Sequence, residues 1–141
     1  MFLGEYQYKV DNKGRLPLPP KFRGELGGEL MLTRGAERCI VLYTASEWHK
    51  LADQLATQTV SPSKLRKLKR VLFGNAFSLT LDGQGRIALP QPLRQYAQID
   101  DAAVIVGANN CIEIWNPDLW NAEKTSAEEQ VWQIIESLEG Q

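Results

Sequence analysis

Asp11-Asn12-Lys13-Gly14-Arg15 returns later in the chain as Asp82-Gly83-Gln84-Gly85-Arg86, and the reading of these two stretches decides the fold. Each lies between short apolar-alternating segments: Tyr8-Lys9-Val10 and Leu16-Pro17-Leu18 around the first, Leu79-Thr80-Leu81 and Ile87-Ala88-Leu89 around the second. Two such runs joined by a short Gly-containing loop have the pattern of a hairpin. At an offset of 71, Val10 falls on Leu81, Asp11 on Asp82, Gly14 on Gly85, Arg15 on Arg86, Leu18 on Leu89, Pro19 on Pro90 and Arg23 on Arg94. After one inserted residue the register continues, with Gly35 on Gly107, Cys39 on Cys111, Ile40 on Ile112, Tyr43 on Trp115 and Trp48 on Trp120. Coincidences among residues of such different kinds mark an internal duplication.

Each copy reads as strand, tight turn, strand, a short helical turn after proline (Pro20 to Arg23; Pro92 to Arg94), then two more strands. Those later strands are expected over 29–33 and 39–43 in the first copy, and over 102–106 and 111–115 in the second. A helix closes each unit. Thr44-Ala45-Ser46-Glu47 is a capping box, and Asn116-Pro117 gives a cap followed by a first-turn proline. Between the copies, Ser61 to Gly74 predicts a helix with a Ser cap and a Gly stop. Its Leu65, Leu68 and Leu72 form an apolar stripe, while Lys64, Arg66, Lys67 and Arg70 make a basic face. That face is either the solvated side of a docked connector or a secondary surface for phosphate or for another subunit. A further capping box, Ser126 with Glu129, introduces Val131, Trp132, Ile134, Ile135 and Leu138 at helical spacing, a face to be buried on its own domain or a neighbour. The resulting division is a first repeat over 1–60, a basic connecting helix over 61–75 and a second repeat over 76–141.

Composition narrows the classes. With 141 residues, 43% of them hydrophobic, the chain can bury a core. No apolar run approaches the roughly 18 residues that span a bilayer, and Met1-Phe2-Leu3-Gly4-Glu5 lacks a leader's basic and apolar regions, so a cytoplasmic location and no membrane partner are expected. Cys39 and Cys111 each lead an apolar run at matching places and read as two equivalent buried core positions, with no metal or bridge between them. The net charge of -1 hides an asymmetry: residues 1–75 hold 13 Lys and Arg against 7 Asp and Glu, residues 76–141 hold 3 against 10. One surface suits a polyanion while another suits a basic neighbour, such as a second copy of the chain.

The turn residues divide into geometry and chemistry. Gly14 and Gly85 supply the positive φ a tight loop needs. Asp11 and Asp82 can accept from loop amides or pair with the arginine at the loop's far end, orienting the turn. Taken once, such a turn is an ordinary surface hairpin with an ion pair. Repetition shifts the balance, because packing explains recurring Gly, Leu and Pro but not a recurring exposed Arg. A guanidinium on a fixed turn fits phosphate oxygens or the O6/N7 edge of guanine, with Lys13 or Gln84 beside it. A β-ribbon also fits the major groove. Two turns with three cations would bind weakly alone, which favours an oligomer.

The opening Met1-Phe2-Leu3-Gly4-Glu5-Tyr6, the two Asp-x-x-x-Arg turns and the duplicated layout resemble the MraZ family of bacterial transcriptional regulators, related to the AbrB-like swapped-hairpin fold. The resemblance covers essentially the whole chain. It implies a β-barrel with peripheral helices, built as a pseudo-dimer within one chain. It also implies a ring-shaped homo-oligomer that binds repeated elements of double-stranded DNA upstream of the division and cell-wall gene cluster, associated with the nucleoid. Residue by residue it places the family's Asp and Arg on Asp11, Arg15, Asp82 and Arg86; the turn chemistry itself adds Lys13 and Gln84 to Arg15 and Arg86 as DNA contacts, and Gly14 and Gly85 to Asp11 and Asp82 as turn-orienting residues. The first turn is the more cationic, so Arg15 with Lys13 is expected to be the main contact and Arg86 a supporting one.

An enzyme would need a nucleophile, base or ligand set, and the supply is thin. His49, the single histidine, lies in a helical Trp48-His49-Lys50-Leu51 run and reads as a structural or surface residue. No phosphate-cradling Gly loop, metal cluster, cofactor site or small-molecule pocket announces itself. Trp48, Trp115, Trp120 and Trp132 read as core and interface aromatics. The serious rival is an oligomeric interaction scaffold whose Arg turns contact the acidic half of another subunit.

Overall fold

The computed structural model describes residues 1–140. In chain order its elements are β1 (Glu5–Lys9), β2 (Arg15–Pro17), α1 (Pro20–Arg23), β3 (Leu30–Arg34), a 3-10 turn (Ala36–Arg38), β4 (Ile40–Thr44), α2 (Ala45–Ala56), α3 (Pro62–Leu72), β5 (Phe77–Leu79), β6 (Arg86–Ala88), α4 (Gln91–Ala97), β7 (Ala102–Gly107), β8 (Ile112–Trp115) and α5 (Pro117–Glu139). The order strand, strand, short helix, strand, strand, helix appears twice, as the duplication requires, with the 3-10 turn and α3 as additions that have no counterpart after β5. Helices and antiparallel strands are mixed throughout.

The strands pair across the repeats. One antiparallel sheet has the order β1-β7-β8-β4-β3-β5, and a two-stranded ribbon joins β2 to β6. The leading strand of the first repeat lies on the second repeat's β7, with Glu5 opposite Val106 and Lys9 opposite Ala102. The leading strand of the second lies on the first repeat's β3, with Leu30 opposite Leu79. The simple hairpin reading is thereby corrected: the two arms of each turn enter different sheets, and only the loop itself is closed locally. A second correction concerns the barrel. Among the described residues the sheet stays open, with β1 and β5 as its edges, because each edge strand runs on through its turn into the ribbon instead of meeting the opposite edge.

Alternation puts one set of side chains on each face of the sheet. Leu30, Leu32, Ile40, Leu42, Ile105, Ile112 and Ile114 face a core shared with Leu16 and Leu18 of the first repeat, Ile87 and Leu89 of the second, and Phe22 and Leu93 from α1 and α4. Burying one such side chain contributes about 1.5–3 kcal/mol, so this core outweighs any surface ion pair. Val41, Val104 and Trp115 point to the other face, where Leu119 and Trp120 of α5 cover them. The central strands are apolar on both faces for that reason.

Local signals met varied outcomes. Thr44 accepts from the Glu47 N–H at 3.3 Å, but the Glu47 carboxylate turns outward to Lys50 at 3.1 Å instead of closing the box. Asn116 accepts from the Asp118 and Leu119 N–H groups at 2.8 and 3.1 Å and starts α5. The second capping box does not form. Residues 117–139 contain no Gly, and no Pro after the first position, so α5 runs unbroken through Ser126. α3 starts on Ser61 but ends without the left-handed Gly stop. Cys39 is buried and Cys111 only half-buried, so the two matching positions are not equivalent. Burial pushes their thiols up to about 12 and about 11. Trp115 is core, Trp48 and Trp120 are half-buried, and Trp132 stands 69% exposed on the distal part of α5.

Candidate functional site

Each turn is wired by one carboxylate. Asp11 Oδ1 accepts from the backbone N–H groups of Lys13 and Arg15, both at 2.9 Å, and its Oδ2 accepts from Arg15 Nε at 2.7 Å. Asp82 Oδ1 accepts from Gln84 and Arg86 N–H at 2.8 and 3.0 Å, and its Oδ2 from Arg86 Nε at 2.9 Å. The Gly14 and Gly85 N–H groups donate back to the Asp11 and Asp82 carbonyls at 3.0 Å, from φ values of +77 and +75 that glycine reaches without strain. The backbone N–H of Arg15 holds the Asp11 carboxyl below its ordinary value, against some desolvation, and the Arg86 N–H does the same for Asp82. Because Nε is the atom held, the terminal guanidinium nitrogens of Arg15 keep no hydrogen-bond partner among the described residues.

The ribbon brings the turns together. Arg15 lies opposite Ala88 and Pro17 opposite Arg86. Leu18 N–H donates to Gly85 O at 3.1 Å, and Leu89 N–H to Gly14 O at 2.9 Å. Arg86 Nη1 then comes within 3.9 Å of Asp11 Oδ2, so the first turn's carboxylate faces both arginines. Arg15 has no ion pair with Asp82 among the described residues. Lys13 and Gln84 occupy the exposed loop tips, and Arg15 and Arg86 are half-buried beneath them.

Arg23 and Arg94, a further matched pair of the duplication to which no turn motif assigns a role, both reach the turns. The Arg23 guanidinium lies over Gly85, where a Cβ would fall within 2.5 Å of its Cζ, and Arg94 Nη1 would lie 2.9 Å from a Cβ on Gly14. Each turn is thus covered by an arginine of the opposite repeat. The signal was the same repetition that drew attention to Arg15 and Arg86.

Lys64, Arg66, Lys67 and Arg70 stand exposed on α3. That helix is tied to β3 by Thr33 Oγ1 donating to Leu72 O at 2.6 Å, and no hydrogen bond or ion pair among the described residues connects it to either turn. His49 is exposed on α2. Among the described residues no group of three or more His, Cys, Asp or Glu side chains is placed to hold a metal ion, and no helix is long and apolar enough to cross a membrane. The chemistry on offer is a set of guanidinium forks on a rigid scaffold, suited to holding anions.

The class so defined is a duplicated mixed α/β protein with antiparallel sheets that gathers Asp-anchored arginine turns from both repeats into one patch. A family model described as "MraZ protein, putative antitoxin-like" matches residues 1–71 and again 72–136. A protein named "Transcriptional regulator MraZ" from Dehalococcoides mccartyi strain 195 is 50% identical over 141 residues, covering 99% of both chains. One of the same name from strain BAV1 is 50% identical over 140 residues, again 99% of both. Another from Roseiflexus sp. RS-1 is 43% identical over 120 residues, 85% of this chain and 84% of its own. The chain belongs to the MraZ family, and that membership sets the enzyme reading aside.

Proposed function

We propose that the chain is a sequence-specific, DNA-binding transcriptional regulator whose ribbon and turns meet the duplex. The observation that carries this is the convergence of the two turns, which puts Arg86 within 3.9 Å of Asp11 and makes one cationic patch from both repeats. Relatives named as transcriptional regulators support it over nearly the full length. In this reading Lys13, Arg15, Gln84 and Arg86 contact DNA while Asp11, Gly14, Asp82 and Gly85 hold the turns. The cross-repeat pairing of the leading strands supports kinship with the AbrB-like swapped-hairpin fold. The target is the repeated upstream elements of the division and cell-wall gene cluster, and the site of action is the cytoplasm, at the nucleoid.

We further propose a ring-like homo-oligomer. α3 exposes Leu68 and Val71 among Lys64, Arg66, Lys67, Lys69 and Arg70, whereas α5 exposes Val131, Trp132, Ile134 and Leu138 among Glu128, Glu129, Glu136 and Glu139. Two exposed apolar stripes with opposite charge on one chain suit a head-to-tail contact between copies, which closes into a ring when the rotation permits. α3 then serves subunits before phosphates. The same stripes are the one observation favouring the scaffold reading, in which oligomerisation is the whole function.

A salt series separates the two. Binding to duplex DNA that weakens steeply with salt, and that Arg15→Ala removes while light scattering shows an unchanged oligomer, supports the regulator. Loss of the oligomer in Arg15→Ala, or no DNA binding at all, supports the scaffold. Footprinting on DNA upstream of the protein's own gene tests the target.

A further inference from the structure

Resting on the DNA-binding reading above, we infer that Arg23 and Arg94 are phosphate-contacting residues of the same interface, one flanking each turn. The two turns form a continuous chain of neighbours: Arg94 over Gly14, Arg15 on Asp11, Asp11 facing Arg86, and Arg23 over Gly85. Arg23 is anchored by Nε donating to Leu18 O at 3.1 Å, next to the Leu18 N–H that donates to Gly85 O. Arg94 is anchored by Nη2 donating to Asp100 O at 3.2 Å. Both anchors are neutral carbonyls.

That is the difference from Arg15 and Arg86, whose charges each face an aspartate. Among the described residues Arg23 and Arg94 form no ion pair, and the terminal nitrogens of Arg23 have no hydrogen-bond partner. Arg94 Nε is buried and unpartnered. Holding a guanidinium half-buried with its charge uncompensated is costly unless an anion completes it. Phosphodiester oxygens answer that need, since Arg binds them through a planar fork. The patch then holds five cations, Lys13, Arg15, Arg23, Arg86 and Arg94, against the two turn carboxylates. The side chains cover the glycines behind the loop tips, so these contacts serve the backbone and carry no base readout.

The test is binding of the full-length protein to a labelled mixed-sequence DNA duplex over a range of salt concentration. Arg23→Gln and Arg94→Gln are each expected to reduce the slope of log K against log salt by about 0.9, and the double variant by about twice that, with Arg23→Lys keeping the slope. Wild-type slopes in both Gln variants overturn the inference. So does lost affinity at an unchanged slope, which would make the pair positioning residues only. If the variants do not fold, phenylglyoxal modification of the wild-type protein decides: protection of Arg23 and Arg94 by the duplex is expected, and equal modification with and without DNA overturns the idea. A wild-type protein with no salt-dependent binding overturns the DNA reading itself, a result distinct from the variant outcomes.

Discussion

The first and second turns share their hydrogen bonds almost atom for atom and differ in the charges beside them. Among the described residues Arg15, 34% exposed, faces one carboxylate, while Arg86, 23% exposed, faces two, Asp82 at 2.9 Å and Asp11 at 3.9 Å. Lys13 stands at one tip and Gln84 at the other. Duplication copied the wiring, which is local, but not the field, which depends on neighbours. Two identical motifs therefore present unequal charge.

The largest effect expected from this inequality is on duplex affinity. Arg15→Ala should weaken binding by about 10- to 100-fold and Arg86→Ala by severalfold less, measured by fluorescence anisotropy at one salt concentration. Equal losses would erase the contrast between the turns. Next comes the exchange of tips. Gln84→Lys should steepen the salt slope by about 0.9 and Lys13→Gln should flatten it by the same amount, so the double variant should return close to wild type. A double variant far from wild type would mean that the tips meet different surroundings on the duplex.

A smaller effect separates the aspartates. Asp11→Asn should speed amide hydrogen exchange at Lys13 and Arg15 and also disturb Arg86, whereas Asp82→Asn should affect Gln84 and Arg86 alone; a spread to Arg15 would contradict the one-sided contact. The smallest concerns acid. Both turn carboxylates are held below their ordinary 3.8, so their contribution is complete above that value and is lost as pH falls through the lowered ones. Turn amide shifts followed by NMR should stay flat from neutral pH to about 5 and move only below about 4. Movement near pH 6 would mean that the carboxylates are not held by the loop amides.

What the sequence made legible was local or repeated. The Asp-to-Arg wiring could be read because acceptor and donors lie within five residues, and the duplication because Asp, Gly and Arg recur in register. The path of the strands could not, since Tyr8-Lys9-Val10 looks the same whether it pairs with its own turn's other arm or with β7. The cover that Arg23 and Arg94 provide for each other's repeat was hidden likewise, because nothing near Gly85 in sequence names Arg23. The Ser126 capping signal misled for the opposite reason: a local motif lost to an uninterrupted run of helix formers.

Cross-repeat strand exchange also sets a timetable for synthesis. β1 is made first, yet Lys9 must wait for Ala102 and Glu5 for Val106. At the ordinary pace of a ribosome that interval is on the order of ten seconds, during which the leading strand lacks its own partner strand. Meanwhile β3 and β4, joined by a short loop, can form at once and present the edge that β5 later takes. The nascent chain therefore carries an unmatched β segment through most of its translation. Closure of the fold depends on the last third of the polypeptide, and a message truncated before β7 would leave β1 without its partner strand.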